Sequence, residues 1–409
     1  MSRLFPFFGV SIAAALLAHK HISDLPAFAY ALAVYAVVAA IFSTPLAVAG
    51  NIVHAHGESG GQGFFGDGFK VALVFSACSL LCSVAVLFLL SAVELNTATA
   101  GRLYAVSAVY VLAIPLLVVN TYLHVFHEST GAAGACASIK RKSVAVGCAF
   151  LIVSFFVVDD ECFVFSAMGY FLLVEVLVLM WLIKLSWGRK LCFVYRGRSR
   201  VLNEVVLLGG PMAAGLVGQK LYYYLLNEKL LSVQEALVGE LSICMSVIGC
   251  LSIPLVAFSQ LHSVYVSKMR GGESNLYVQG FFACTLLIAT VVGALSFSGA
   301  LLFYVFGGGS LEFTAAAFGV MAFFVLGSGY LMAVVAHLRA LNDTLVPQVL
   351  VNAIMLGVLL PVMYFFVLDG ASIYLYLSLQ AAAMLVAAAI LQGRLYLLCK
   401  VTHSDDGRS

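Results

Sequence analysis

Long apolar runs alternate with short polar connections along the whole chain. A bilayer core about 30 Å thick needs roughly 20 apolar residues per helix, and a helix satisfies all of its backbone polar groups internally. The pattern therefore predicts an all-α polytopic membrane protein with about twelve transmembrane helices. The predicted spans are 4–18, 27–51, 71–93, 103–122, 143–158, 163–187, 202–226, 237–259, 276–297, 313–337, 345–367 and 371–398. The first and fifth are short.

Composition excludes a soluble globular protein, because 63% of the 409 residues are hydrophobic and only 10% are charged. A formal net charge of +2 gives no indication of a nucleic-acid partner. The ten cysteines are scattered, mostly within predicted spans, and lack metal-site or disulfide spacing. We therefore expect neither a metal nor a cofactor.

The distribution of Lys and Arg predicts the orientation, since these residues are retained on the cytoplasmic side of the membrane. With a cytoplasmic N-terminus, only Lys20, Arg102 and Lys229 fall outside, and Lys220 falls within the membrane. The densest basic cluster, 188–200, then lies inside. We expect an integral plasma (inner) membrane protein with both termini in the cytoplasm. The run after Arg3 also fits a cleaved signal peptide.

The two halves of the chain resemble each other. "STPLAVAGNIVHAHGESGG" (43–61) aligns with "SIPLVAFSQLHSVYVSKMRGG" (252–272), and "YLHVFHEST" (122–130) aligns with "HLRALNDT" (337–344). Because each half has an even number of spans, the repeats are parallel, and substrate sites usually lie between such repeats. We expect a six-helix lobe at 1–187, a basic cytoplasmic linker at 188–200, a second six-helix lobe at 201–400 around a central cleft, and a tail at 401–409.

These features together resemble the multidrug and toxic compound extrusion (MATE) family of the MOP flippase and exporter superfamily. The resemblance rests on the twelve spans, the basic central loop, Pro211 early in the seventh span, "IPLVAFSQ" with "MRGG" (253–272), and "LRALNDTLVPQ" (338–348). It covers nearly the whole chain. It implies a secondary active transporter that exports a small amphipathic drug, toxin or metabolite by alternating access, as an antiporter coupled to H⁺ or Na⁺.

The sequence departs from the family pattern at the residues that relatives use for coupling. Many relatives carry an acid eight residues after the proline of the seventh span, where this chain has Gln219. Ser328 lies where many have an aspartate in the tenth span, and the first span, 4–18, has no acid. The amide of Gln219 and the hydroxyl of Ser328 do not gain or lose a proton near neutral pH. The usual assignment of the coupling residues therefore does not transfer to this chain.

Polar residues within the apolar runs are the remaining candidates for the ion and substrate pathway. Glu175, near the middle of the sixth span, is the deepest carboxylate, and an acid at that depth needs a cavity or a partner. Lys220 would attract an anionic substrate, carry a proton, pair with Glu240, or extend along lipid to the membrane surface. Asn120, with Tyr110, would line a cavity of the first lobe. Tyr223 of "YYY" (222–224) belongs either to an interfacial belt or to a cation cage.

Three alternatives stay open at this point. A flippase for lipid-linked oligosaccharide or polysaccharide precursors belongs to the same superfamily, and Lys220 would suit its anionic head group. The pairs His54 with His56 and His124 with His127 admit a remote alternative, a His-dependent membrane metalloenzyme. A sensor or scaffold is the third. We favour a transporter that is not an enzyme, is monomeric, and has membrane lipids and a small-molecule substrate as its partners.

Overall fold

A computed structural model of the chain describes residues 5–55, 57–92, 97–194, 200–268, 274–341, 343–365 and 370–406. These residues are almost entirely helical and include no strand. The α-helices are α1 (Phe5–Lys20), α2 (Leu25–Ser43), α3 (Ala49–Ala55), α4 (Gly57–Ala92), α5 (Thr97–Val111), α6 (Ala113–His127), α7 (Ala133–Val157), α8 (Phe163–Gly188), α9 (Arg200–Val233), α10 (Glu235–Lys268), α11 (Ser274–Gly307), α12 (Ala315–Ala340), α13 (Leu345–Ile354), α14 (Leu360–Phe365) and α15 (Ile373–Asp406).

Ten segments of the described residues are long and apolar enough to cross a bilayer. One of them, Gly101–Val157, contains most of α5 and all of α6 and α7, and so covers the fourth and fifth predicted spans. The first predicted span corresponds to a shorter apolar helix, Gly9–Lys20. Together they reproduce the twelve predicted spans in order. The prediction of an all-α polytopic membrane protein is confirmed.

Several helices extend well beyond the predicted apolar runs. α4 begins at Gly57 rather than near 71, α7 begins at Ala133 rather than near 143, and α10 continues to Lys268 rather than ending near 259. Hydropathy detects only the part of a helix that lies in hydrocarbon. Outside it, the backbone hydrogen bonds and the packing against neighbouring helices keep the chain helical.

The fourth span is broken in the middle. α5 ends at Val111, α6 begins at Ala113, and Pro115 follows within the first turn of α6. Proline has no N–H, so the carbonyl of Val111 loses its intrahelical donor, and the proline ring crowds the preceding turn. The hydroxyl of Ser76 on α4 donates to the carbonyl of Pro115 at 3.0 Å. The break separates Tyr110 from Asn120.

The chain forms two compact units, Met1–Leu231 and Ser232–Ser409, which we describe separately. In the first unit, α6 packs against α4 and α8, and α8 packs against α7. α9 belongs to this unit, with Gly209 against the backbone of Pro45 and Tyr224 against Tyr30. The lobes predicted at 1–187 and 201–400, the linker between them and the tail at 401–409 stay a prediction.

In the second unit, α12 is the central helix and packs against α10, α11 and α15. Gly327 permits the closest approach, because a Cβ there would lie 2.7 Å from the carbonyl oxygen of Ala381 on α15. At one end of the same contact, Val334 and Leu338 of α12 are buried against Leu391 and Leu395 of α15. These contacts fix α12, which carries Ser328.

Candidate functional site

Glu175 lies near the middle of α8 and is partly exposed, although its neighbours Val174 and Val178 are buried. Its helix contacts α5, α6 and α7 of the first unit. A carboxylate halfway along a membrane-spanning helix is costly unless polar groups surround it. The surroundings of Glu175 supply such groups.

Asn120 of α6 is the direct partner of Glu175. Its amide nitrogen Nδ2 donates to the carboxylate oxygen Oε2 of Glu175 at 2.7 Å and to the backbone carbonyl of Glu175 at 2.8 Å. A backbone carbonyl only accepts hydrogen bonds, so the side-chain amide has one orientation here. Glu175 and Asn120, which the sequence analysis gave as separate candidates, are thus in direct contact.

The other end of the Asn120 amide is open. Its oxygen Oδ1 is buried and has no hydrogen-bond partner among the described residues. A buried acceptor without a donor costs free energy that a bound cation or water would recover. The site therefore presents carboxylate and amide oxygens, which are the donors that hard cations prefer.

Aromatic side chains enclose this site. Tyr110 and Tyr170 lie close enough to Glu175 to interact with its charge. Tyr110 packs edge-on against Tyr35 of α2, with ring centroids 5.8 Å apart, and against Phe171 of α8 at 5.2 Å. Lys140 on α7 interacts electrostatically with the carboxylate. The lysine offsets part of the negative charge of the carboxylate.

The candidates on α9 lie apart from Glu175 in the sequence and are more exposed than Asn120. Gln219 is exposed, Lys220 is half-buried, and Tyr223 is half-buried against Tyr222, with ring centroids 5.3 Å apart. No acidic side chain of the described part of the first unit makes an ion pair with Lys220. The predicted pairing with Glu240 joins two units that are described separately, so it stays a prediction.

The candidates of the second unit have different surroundings from each other. Ser328 of α12 is 8% exposed, and its hydroxyl donates to the carbonyl of Val325, one turn earlier in its own helix. The glycines on either side of it are packed against neighbouring helices, which makes this stretch a helix-packing contact. Glu240 of α10 is partly exposed and interacts electrostatically with Cys244 and with Tyr374 of α15.

The sequence analysis missed a buried network at the end of α8. The imidazole of His127 lies 2.8 Å from the hydroxyl of Ser186 and 3.2 Å from the guanidinium of Arg189. That guanidinium also donates to the hydroxyl and the carbonyl of Thr130, both at 2.7 Å. Arginine only donates, so Nδ1 of His127 accepts, and its hydrogen lies on Nε2 and points to Ser186.

Three further pairs were also missed. Asp24, which is 1% exposed, pairs with Arg102 and His21. In the second unit, Arg394 donates to the carboxylate of Asp343 at 2.5 Å, and the rings of His262 and His337 are hydrogen-bonded. Apart from His21 and Asp24, which are three residues apart, the partners are distant in sequence.

The histidines behind the metalloenzyme alternative do not form a metal site in the described residues. His127 is held by Ser186 and Arg189, and His124 lies 3.8 Å from Glu128. Among the residues that the structure describes, no group of three His, Cys, Asp or Glu side chains could hold a metal. His56 and the side chain of His54 lie outside the described part.

Comparison with solved structures finds the same fold over nearly the whole chain. An inward-facing multidrug resistance MATE family transporter of the MOP superfamily matches with a TM-score of 0.79 and 13% identity, over 97% of this chain and 94% of that one. The MATE multidrug transporter DinF-BH matches with a TM-score of 0.71 and 14% identity, over 97% and 92%. An outward-facing MATE family transporter matches with a TM-score of 0.66 and 12% identity, over 100% and 94%.

No protein-family model and no curated protein matches the sequence. The structural likeness at this identity establishes the fold. The chain has the fold of MATE transporters and is an integral membrane protein.

Proposed function

We propose that the chain is a secondary active transporter that exports a small amphipathic molecule by alternating access, as an ion-coupled antiporter. The support is a fold shared with MATE transporters, together with a carboxylate site in the first unit. The proposal makes the chain a transporter and not an enzyme. The chain would lie in the plasma membrane as a monomer surrounded by lipids. Both of its termini would be in the cytoplasm.

The observation that carries the proposal is the contact between Glu175 and Asn120. A coupling ion changes a conformational equilibrium only if its affinity differs between the conformations. A membrane-embedded carboxylate provides this difference when its charge or its hydrogen bonds change with the packing of helices. Here the carboxylate lies on α8 and its donor lies on α6, so any movement of one helix against the other changes the site.

The coupling ion would be a proton or Na⁺. A proton on Glu175 would remove the charge that strengthens the hydrogen bond from Asn120. Na⁺ would instead contact the carboxylate and the open oxygen Oδ1 of Asn120. A proton would therefore weaken the link between α6 and α8, whereas Na⁺ would bridge the two helices. The site thus relates cation occupancy to helix packing without the acids that relatives carry in the seventh and tenth spans.

The substrate would meet other residues. Lys220 and Gln219 on α9 would bind an anionic or polar group of the substrate, and Tyr223 would pack against its apolar part. Glu240 would face a cationic group or pair with Lys220. Ser328 would contribute through packing, since its hydroxyl is bonded within its own helix.

A second candidate function follows from Lys220. A half-buried ammonium group with no described acidic partner in its own unit suits the pyrophosphate of a lipid-linked saccharide precursor. The chain would then be a flippase for such precursors. Flux of a lipid-linked pyrophosphate, lost in Lys220→Ala, would favour this function over export of small amphipathic molecules.

The test is flux in proteoliposomes under imposed proton and sodium gradients. The substrates are a panel of amphipathic cations and anions, and the variants are wild type, Glu175→Gln and the control Glu161→Gln. Glu161 is an exposed carboxylate between α7 and α8. We expect gradient-driven flux in wild type and Glu161→Gln and its loss in Glu175→Gln. Absence of gradient-driven flux of every compound, with folded wild-type protein, overturns the antiporter proposal.

A further inference from the structure

Two imidazoles form a hydrogen-bonded pair inside the second unit. His262 on α10 places Nε2 3.1 Å from Nδ1 of His337 on α12. Both residues are buried, with 9% and 4% of their surfaces exposed. A hydrogen bond between two imidazoles requires a hydrogen on one facing nitrogen and a lone pair on the other. The tautomer of each ring therefore depends on the other ring.

The pocket around the pair is aromatic. Phe258 stacks on His262 with ring centroids 5.7 Å apart, and Tyr277 of α11 packs edge-on against His337 at 5.2 Å. Gly280 of α11 leaves the space that the ring of His262 occupies, since a Cβ there would overlap the imidazole. The buried hydroxyl of Tyr277 has no hydrogen-bond partner among the described residues.

The helices around the pair bring few other titratable or charged groups to it. α11 contributes Tyr277 and, two turns further on, Cys284. The arginine of α15, Arg394, is bound to Asp343. Lys268 and Arg339, at the ends of α10 and α12, are exposed. Within the described part of the second unit, no carboxylate or guanidinium forms an ion pair with either imidazole.

We propose that His262 and His337 form a proton-binding site that takes up one proton and shares it between the two rings. An imidazolium N–H that donates to a neutral imidazole makes a charge-assisted hydrogen bond, which is stronger than the bond between two neutral rings. With a second proton, both rings would be positively charged and two N–H groups would face each other 3.1 Å apart, which is repulsive. The pair therefore accepts a single proton as a unit.

A proton fits this pair better than a metal ion. Structural zinc sites have four protein ligands and catalytic sites have three, whereas this pair offers two nitrogens whose hydrogen bond aims one lone pair at the other ring. The described residues contain no third His, Cys, Asp or Glu ligand beside them. A proton taken up by the pair would make the second unit sensitive to pH.

The test is NMR of the full-length protein in detergent micelles with ¹⁵N-labelled histidine, between pH 8 and 5. The variants are wild type, His262→Asn, His337→Asn and the double variant. We expect the two rings of wild type to titrate together, with a nitrogen–nitrogen coupling across the hydrogen bond. Potentiometric titration should show one proton fewer bound by the double variant. In either single variant, the remaining histidine should titrate at a different pH from the wild-type pair.

His127 of the first unit is a matched internal control, because Arg189 fixes its tautomer. Its signals, assigned with His127→Asn, should stay those of a neutral ring with hydrogen on Nε2. The proposal fails if His262 and His337 also keep fixed neutral tautomers, if each takes up its own proton, or if zinc binds to wild type but not to the double variant. Should the asparagine variants misfold, the joint titration of the two rings in wild type, with the coupling kept throughout, decides.

These measurements do not require transport. If the proposed function also holds, the pH profile of flux should shift in His262→Asn relative to wild type. Absence of flux in wild type contradicts the transport proposal and leaves the result on proton uptake standing.

Discussion

The first unit holds its buried histidine with an arginine, whereas the second unit pairs a buried histidine with another histidine. In the first, Arg189 at the end of α8 binds His127 and Thr130. In the second, the corresponding arginine near the end of the last span, Arg394, binds Asp343. In the second unit the carboxylate of Asp343 binds the arginine, and the two histidines contact each other. We therefore expect His127 to stay neutral and, if the proposal above holds, the pair of His262 and His337 to accept a proton.

Arg189→Leu should have the largest effect of the substitutions considered, both on stability and on the protonation of His127. It removes the donors to Thr130 and His127 and leaves partly buried acceptors unsatisfied, each at about 1–3 kcal/mol. We expect the free energy of unfolding to fall by about 3 kcal/mol, measured by denaturant titration in detergent. His127 should then accept a proton in the NMR titration. Arg189→Lys, which keeps the charge without the planar fork, should be intermediate. A neutral His127 in the leucine variant would show that the arginine does not exclude the proton.

Asn120→Leu tests whether the cation site belongs to the first unit. It removes a charge-assisted hydrogen bond worth about 1.5–3 kcal/mol, so we expect gradient-driven flux to fall by about 10-fold or more. A double-mutant cycle with Glu175→Gln should give an interaction energy of at least about 1 kcal/mol.

The control for Asn120→Leu is Ser328→Ala in the second unit, because the Ser328 hydroxyl is bonded only to its own helix. Flux and stability should remain near wild type in this variant. Equal losses of flux in the two variants would contradict a site confined to the first unit.

Gly327→Ala tests how tightly α12 and α15 pack in the second unit. Its Cβ would meet the backbone oxygen of Ala381, which cannot rotate away, and overpacking typically costs about 1–3 kcal/mol. We expect a loss of about 1.5 kcal/mol in unfolding free energy. Gly319→Ala on the same helix meets nothing within 4 Å and should be stabilising or neutral. Similar stabilities of the two variants would show that the helices separate easily.

Arg394→Leu should have the smallest effect. The side chain of Arg394 is 40% exposed, and exposed ion pairs contribute at most about 1 kcal/mol. Because both partners are charged, the difference from wild type should shrink in high salt. The loss in Arg189→Leu should not depend on salt, since Thr130 is neutral. If the loss of unfolding free energy in Arg394→Leu does not depend on salt, the two arginines do not differ in this respect.

The helical architecture was predictable because apolar runs of bilayer length leave few alternatives. Glu175 and Asn120 were also identifiable, since each is a polar residue in an apolar run. That they touch depends on the rotation of α6 and α8 about their axes, which a single sequence does not specify. Arg189 was counted only toward orientation, because its cluster of basic residues already had an explanation.

The contact between His262 and His337 was not predictable from the sequence, for a different reason. His262 and His337 are 75 residues apart, and the repeat aligns His337 with Tyr122, so the repeat gives no counterpart. In the first unit, Tyr122 donates instead to the carbonyl of Phe65 at 2.8 Å. The helix ends were misplaced where polar residues continue a helix outside the hydrocarbon, as at the start of α7.

The break before Pro115 divides the fourth span into two helical segments with separate contacts. α5 is tied near its start through the ion pair of Arg102 with Asp24, and α6 carries Asn120. A proline that removes a backbone hydrogen bond is where a helix bends. If Asn120 is released from Glu175, as the proposed function requires, we expect α6 to move more than α5. Spin labels on Tyr104 and Thr121 would then report occupancy of the proposed cation site as a change in the distance between α5 and α6.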